Sequence, residues 1–234
     1  MQISDQLIYA LIAAGIMLLV GFPVHEFCHA FAAFKLGDST ARWQGRLTLN
    51  PRVHFDPVGG IMLLVTALLT SGSWFFGYAK PTPVNPMNLA GGRRGEAWVA
   101  AAGPLSNLAM AAIIAIPLRL SGMIIEQGGF LFLNPPDFLA GLPDRAQEMF
   151  ILVPYYFVVI NVFLFIFNLL PVPPLDGWKV LGGLVPSHVA WQMRAIEQRY
   201  AAWIPIVFLV FILFAGGRII GPIADALIGV LLGV

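Results

Sequence analysis

Residues 7 to 34 form an apolar run longer than the roughly 20 residues a helix needs to cross the hydrocarbon core of a bilayer. Inside it stand two histidines and a glutamate, His25, Glu26 and His29. An ionisable group near the middle of a spanning helix costs about 2.5 to 3.5 kcal/mol on insertion scales, so it persists only with a partner or a purpose. Whatever this chain folds into, it folds around that segment.

Four further apolar stretches lie at 58–76, 96–119, 150–170 and 201–216, and an apolar tail runs from 219 to 234. The chain of 234 residues is 59% hydrophobic and only 11% charged, far below the quarter or so of charged residues usual in soluble proteins. The reading is an all-α polytopic membrane protein with four to six membrane segments, most of whose surface meets lipid. Residues 1–34 lack the basic n-region of a signal peptide and stay in the mature chain. No internal repeat or low-complexity linker appears, so one membrane-embedded domain is expected over 1–234, with a core at 7–182 and C-terminal segments at 201–234. A net charge of +1 without blocks of like charge gives no reason to expect nucleic acid, and a single cysteine excludes internal disulfides.

Basic residues decide the threading. If 58–76 enters the membrane and returns, turning near Thr70-Ser71-Gly72-Ser73, then Lys35, Arg42, Arg46, Arg52, Lys80, Arg93, Arg94, Lys179, Arg194 and Arg199 share one face, leaving Arg119, Arg145 and Arg218 opposite. The positive-inside rule places the richer face in the cytoplasm of a cell membrane. Under this reading 46–50, which alternates, and the proline-punctuated 80–85 lie on the same side and are expected to form a small β element.

His25-Glu26-Phe27-Cys28-His29 spells HExxH. On a helix the two imidazoles, four residues apart, lie on one face and can reach one divalent ion while Glu26 flanks it, the pattern of a zinc metallohydrolase. The bland reading pairs both histidines with neighbouring helices and Glu26 with one of them. Cys28, between them, reads as packing. A catalytic zinc usually takes three protein ligands. The leading third candidate is Asp176, in Asn168-Leu169-Leu170-Pro171-Val172-Pro173-Pro174-Leu175-Asp176-Gly177. Its prolines stop the preceding helix, and Gly177 permits a close backbone approach. Asp176 could instead cap a helix starting near Trp178. Re-entrant threading favours the metal role, since it brings the C-terminal ends of the first and the 150–170 spans to one side. His54 and Asp56 remain rivals, and His188 reads as a surface residue.

HEFCH in a membrane helix, AGPLSN at 102–107 and NLLPVPPLDG at 168–177 together resemble the site-2 proteases, zinc intramembrane metalloproteases, in their compact prokaryotic form without added soluble domains. The resemblance covers the chain to about residue 182. It implies one Zn2+ per chain held by His25, His29 and Asp176, Glu26 as the catalytic base, and Asn168 pointing into the site; there Asn168 could donate to the substrate carbonyl or oxyanion, the alternative being an interhelical hydrogen bond. Gly103 and Pro104 are expected to let their helix pack closely, and Asn107 to act as interhelical glue. The implied activity is hydrolysis of peptide bonds in or near the transmembrane segments of membrane-protein substrates, by a water that zinc and Glu26 activate. A strand edge at 46–50, with 80–85, would capture the unwound peptide. The alternatives are a catalytically silent zinc-containing scaffold and a metal transporter.

Overall fold

The computed structural model describes residues 5–69, 77–127, 130–200, 203 and 217–234. Pro23 shapes the first span. A proline within a helix brings no N–H and crowds the carbonyl four residues before it. The chain accommodates this with a π-helical turn, Met17–Gly21, between α1 (Asp5–Ile16) and α2 (Phe22–Lys35). Together these make a 29-residue span, Leu7–Lys35. Two more described helices are long and apolar enough to cross, α6 (Arg93–Leu120) and α7 (Asp144–Asn168).

Shorter helices fill the connections. α3 (Thr40–Trp43), α4 (Pro51–His54) and α5 (Pro57–Leu69) lie between the first span and α6, and α8 (Asp176–Leu184), α9 (Ser187–Arg199) and α10 (Gly217–Leu232) follow α7. Ala111 and Ala115 of α6 pack with Val158 and Val162 of α7 and with Ile220, Ala224 and Ile228 of α10. Small residues on α6 let these helices approach closely, which is how helices associate when lipid supplies no hydrophobic drive. A second cluster joins Ala13, Ala14 and Met17 to Leu63 of α5 and to Phe157 and Ile160 of α7.

The stretch between the first span and α6 starts and finishes on one face. Leu36 accepts the Ala90 N–H at 2.7 Å, and the Asp38 carboxylate accepts from the Asn85 N–H at 2.7 Å and from Asn88 Nδ2 at 3.1 Å. Nearer the hairpin, the Lys80 N–H reaches the His54 carbonyl at 2.8 Å. The described part of α5 is 13 residues, about 20 Å. These bonds are what the expected re-entrant path requires; its turn at 70–73 lies outside the described residues, as does most of the 201–216 stretch. At the opposite end, Arg145 pairs with Asp5, the Tyr9 hydroxyl donates to the Arg145 carbonyl at 3.1 Å, and Arg119 donates to the Val230 carbonyl at 3.1 Å.

The expected β element does not form where alternation suggested it. Residues 46–50 are a loop and 77–85 an extended segment, neither in a strand ladder. The groups a ladder needs are engaged elsewhere: the Thr48 carbonyl by His54 Nε2 at 2.7 Å, the Asn50 N–H by Thr48 Oγ1 at 3.2 Å, and Pro81 and Pro83 bring no N–H at all. Arg46 bridges the two segments with its side chain, donating to the Val53 carbonyl at 2.5 Å and the Lys80 carbonyl at 3.5 Å. The strands among the described residues pair as an antiparallel hairpin between α6 and α7, β1 (Ile124–Gln127) with β2 (Phe130–Leu133).

Candidate metal centre

The four-residue spacing on α2 stacks the His25 and His29 rings edge to face, with centroids 4.7 Å apart and Nε2 atoms 3.0 Å apart. From the other side, the prolines at 171, 173 and 174 hold the chain after α7 out of a helix until Asp176 opens α8. Leu175 is the N-cap and makes no side-chain cap bond. The Asp176 carboxylate turns inward instead, Oδ2 lying 3.4 Å from His25 Nε2 and 3.2 Å from His29 Nε2. Gly177 permits the approach, because a Cβ there would collide with the Leu169 and Leu170 carbonyls.

The donor set fits a zinc ion. His25 Nδ1 faces Asn107 Oδ1 at 3.1 Å and His29 Nδ1 faces the Val99 carbonyl at 2.7 Å. Both partners are acceptors, so each ring carries its proton on Nδ1 and presents the Nε2 lone pair. Two such nitrogens and a carboxylate, all within 4.8 Å of one another, form a donor set that could hold a metal ion. Gly103 of α6 completes the cradle: a Cβ there would lie 2.6 Å from His25 Nε2 and closer still to His29 Nε2, in the space an ion needs.

Glu26 stands beside this cluster, 8% exposed, with Oε2 accepting the Thr82 N–H at 2.8 Å. A cavity of about 780 Å³ opens onto these groups. Phe22, Met62, Ala79, Leu164 and Phe167 give it apolar walls, and the segment from Gly77 to Val84 runs along one side. Asn168, the last residue of α7, lines it too; its Nδ2 donates to the Leu164 carbonyl at 3.0 Å, within its own helix rather than across to another.

The rival ligands stand apart. His54 is buried on the Thr48 carbonyl, and Asp56 Oδ1 caps α5 by accepting from the Val58 and Gly59 N–H groups at 2.9 and 3.0 Å. His188 is exposed, and Cys28 is half-buried and outside the cluster. Sequence reasoning missed Asp38. It is buried, and although burial alone would raise its carboxyl, hydrogen bonds from Thr40, Asn85 and Asn88 hold it below the ordinary value. Its one local signal is the Asx turn to the Thr40 N–H at 3.1 Å.

HExxH in a membrane-length helix, met by an aspartate from a proline-broken segment after a later span, defines a zinc metalloprotease of the site-2 type. The chain belongs to peptidase family M50, whose sequence model matches residues 13–215. It is 37% identical over 215 residues to "Putative zinc metalloprotease YwhC" of Bacillus subtilis (strain 168), covering 90% of this chain and 85% of that protein. "Putative zinc metalloprotease Rip2" of Mycolicibacterium smegmatis is 29% identical over 87% of this chain and 68% of its own length. The Rip2 of Mycobacterium tuberculosis (strain H37Rv) is 28% identical over 86% and 68%. No solved structure matches the chain. Family membership favours the hydrolase over the silent scaffold and the transporter.

Proposed function

We propose that this chain is an intramembrane endopeptidase that hydrolyses peptide bonds in or near transmembrane segments of membrane-protein substrates. His25, His29 and Asp176 hold its zinc. The observation that carries the reading is the position of His25 and His29 inside a membrane-length helix, with Asp176 brought against them from the start of α8, at a mainly apolar cavity. The whole chain acts as one membrane-embedded domain, with its core at 7–182. The basic face around the site, bearing Lys35, Lys80, Arg93 and Lys179, lies on the cytoplasmic side of the cell membrane.

When bound, the zinc supplies Lewis acidity that makes water a nucleophile near neutral pH and polarises the scissile carbonyl. Glu26 is the base. Thr82 holds its Oε2, so the second carboxylate oxygen accepts the proton of the attacking water and returns it to the leaving nitrogen. Asn168 donates one of its Nδ2 hydrogens to the substrate carbonyl, the other being given to Leu164. The unwound substrate lies along the extended 77–85 segment, which contains the 80–85 part of the edge the sequence suggested, without 46–50.

The test compares wild type, Glu26→Gln and Asp176→Ala, purified into liposomes, for bound zinc and for cleavage of single-span peptides. Cleavage is expected to vanish in both variants, with zinc retained only in Glu26→Gln. Full activity in Glu26→Gln would sink the proposed mechanism, and full zinc content in Asp176→Ala would remove the third ligand.

A further inference from the structure

Asn107 enters the metal centre through its oxygen alone. With His25 Nε2 turned to the metal donors, the ring offers its proton on Nδ1, and the amide must answer with Oδ1, 3.1 Å away. That choice fixes the other end of the amide. Nδ2 points away from the ring, fully buried, and finds no hydrogen-bond partner among the described residues. Buried amides normally have both ends satisfied, and an idle donor is costly to folding. A residue kept only to join two helices would not leave half its hydrogen-bonding capacity unused.

The two histidines also differ in what aims them. His29 leans on the main-chain carbonyl of Val99, which every residue at that position would supply. His25 depends on a side chain, from a residue 82 positions away on another helix. One turn before Asn107 on α6 is Gly103, whose missing Cβ clears the space beside both Nε2 atoms. The same stripe of α6 thus makes room for the ion and orients a ligand.

We infer that Asn107 is a positioning residue for zinc: Oδ1 locks His25 in its Nδ1–H tautomer and in the ring rotation that aims Nε2 at His29 and Asp176. This goes beyond the interhelical glue its sequence context suggests. It rests on the reading of His25 as a ligand, and the experiment keeps the two apart.

The full chain, purified in detergent and stripped of zinc, is titrated with zinc against a chromophoric chelator as wild type, Asn107→Leu, Asn107→Asp and His25→Phe, with circular dichroism reporting the fold of each. Asn107→Leu, matched in heavy-atom count and branching but without an acceptor, is expected to bind zinc about 10- to 100-fold more weakly. Asn107→Asp keeps an acceptor for Nδ1–H and lacks the amide donor, so it is expected to bind at least as tightly as wild type. Unchanged affinity in the folded leucine variant overturns the proposal, and so does an aspartate variant as weak as the leucine one. Should Asn107→Leu fail to fold, the aspartate variant against wild type decides. If His25→Phe binds zinc as wild type does, the ligand reading falls and takes the proposal with it; if His25→Phe loses zinc while Asn107→Leu keeps it, the positioning role alone is wrong.

Discussion

Thr82 donates its backbone N–H to Glu26 Oε2 at 2.8 Å and its hydroxyl to the Glu26 carbonyl at 3.0 Å, tying the extended 77–85 segment to the middle of the HExxH helix. Pro81 and Pro83 flank it, so Thr82 is the only one of the three with an N–H to give. One carboxylate oxygen is thereby fixed, leaving the other free for the base role proposed for Glu26.

Removing that N–H should disturb turnover without touching the metal. A hydrogen bond to a charged group is worth about 1.5 to 3 kcal/mol, and each 1.4 kcal/mol is tenfold in rate. Thr82→Pro is therefore expected to lower kcat by about 10- to 100-fold with zinc content unchanged. Thr82→Val keeps the N–H and loses only the hydroxyl, so its kcat should stay much nearer wild type. Equal kcat in the proline and valine variants, read against zinc by elemental analysis, would remove Thr82 from the machinery.

Gly103→Ala probes the cradle. The added methyl falls within the space between the two Nε2 atoms, against rings held by Asn107 and Val99. The variant should fold, since alanine suits a helix better than glycine by roughly 1 kcal/mol. It should nevertheless purify without zinc and without proteolytic activity. Zinc at one equivalent per chain in Gly103→Ala would show that the ion sits elsewhere.

Much of this site is legible in the sequence because its determinants are local. Four-residue spacing aligns His25 with His29, and the prolines before Asp176 are enough to end α7 and leave the aspartate free of it. The contacts that organise the site are not local: Thr82 meets Glu26 across 56 residues and Asn107 meets His25 across 82. No periodicity encodes such pairings. The misplaced strand has the same origin, for alternation at 46–50 is visible whereas the capture of its hydrogen-bonding groups by His54 and Thr48 side chains is not. The β1–β2 hairpin does carry a signal, Gly128-Gly129 between two apolar runs, but a reading dominated by spans passes over it.

Asp38 should make stability depend on acid. Its carboxyl is held below the ordinary value, so the folded state favours the charged form; the contribution is full above the unfolded value near 4 and is lost as pH falls through the lower folded value. Asp38→Asn replaces one acceptor oxygen by a donor facing the Thr40, Asn85 and Asn88 donors, and should cost about 2 to 4 kcal/mol near neutral pH. Thermal unfolding of both proteins from pH 7 downward should show the gap narrowing below about pH 4. A gap constant over that range would exclude a charged Asp38 as the anchor of 85–88.

The threading makes a prediction that needs no enzyme assay. Leu36 bonded to Ala90, and Arg93 bonded to the Gly182 and Val185 carbonyls at 3.1 Å, put Ser39 and Ser187 on one face. Ser121, just beyond α6, belongs to the other, with Arg119 and Arg145. Cys28 is the chain's one cysteine, so a Cys28→Ser background allows single cysteines at Ser39, Ser187 and Ser121. An impermeant thiol reagent added to intact cells should label position 121 alone, and positions 39 and 187 should react only after the membrane is opened. Labelling of 39 and 187 on opposite sides would mean that 58–76 crosses fully, and would overturn the re-entrant reading that the hydrogen bonds joining 36 to 90 and 38 to 85 support.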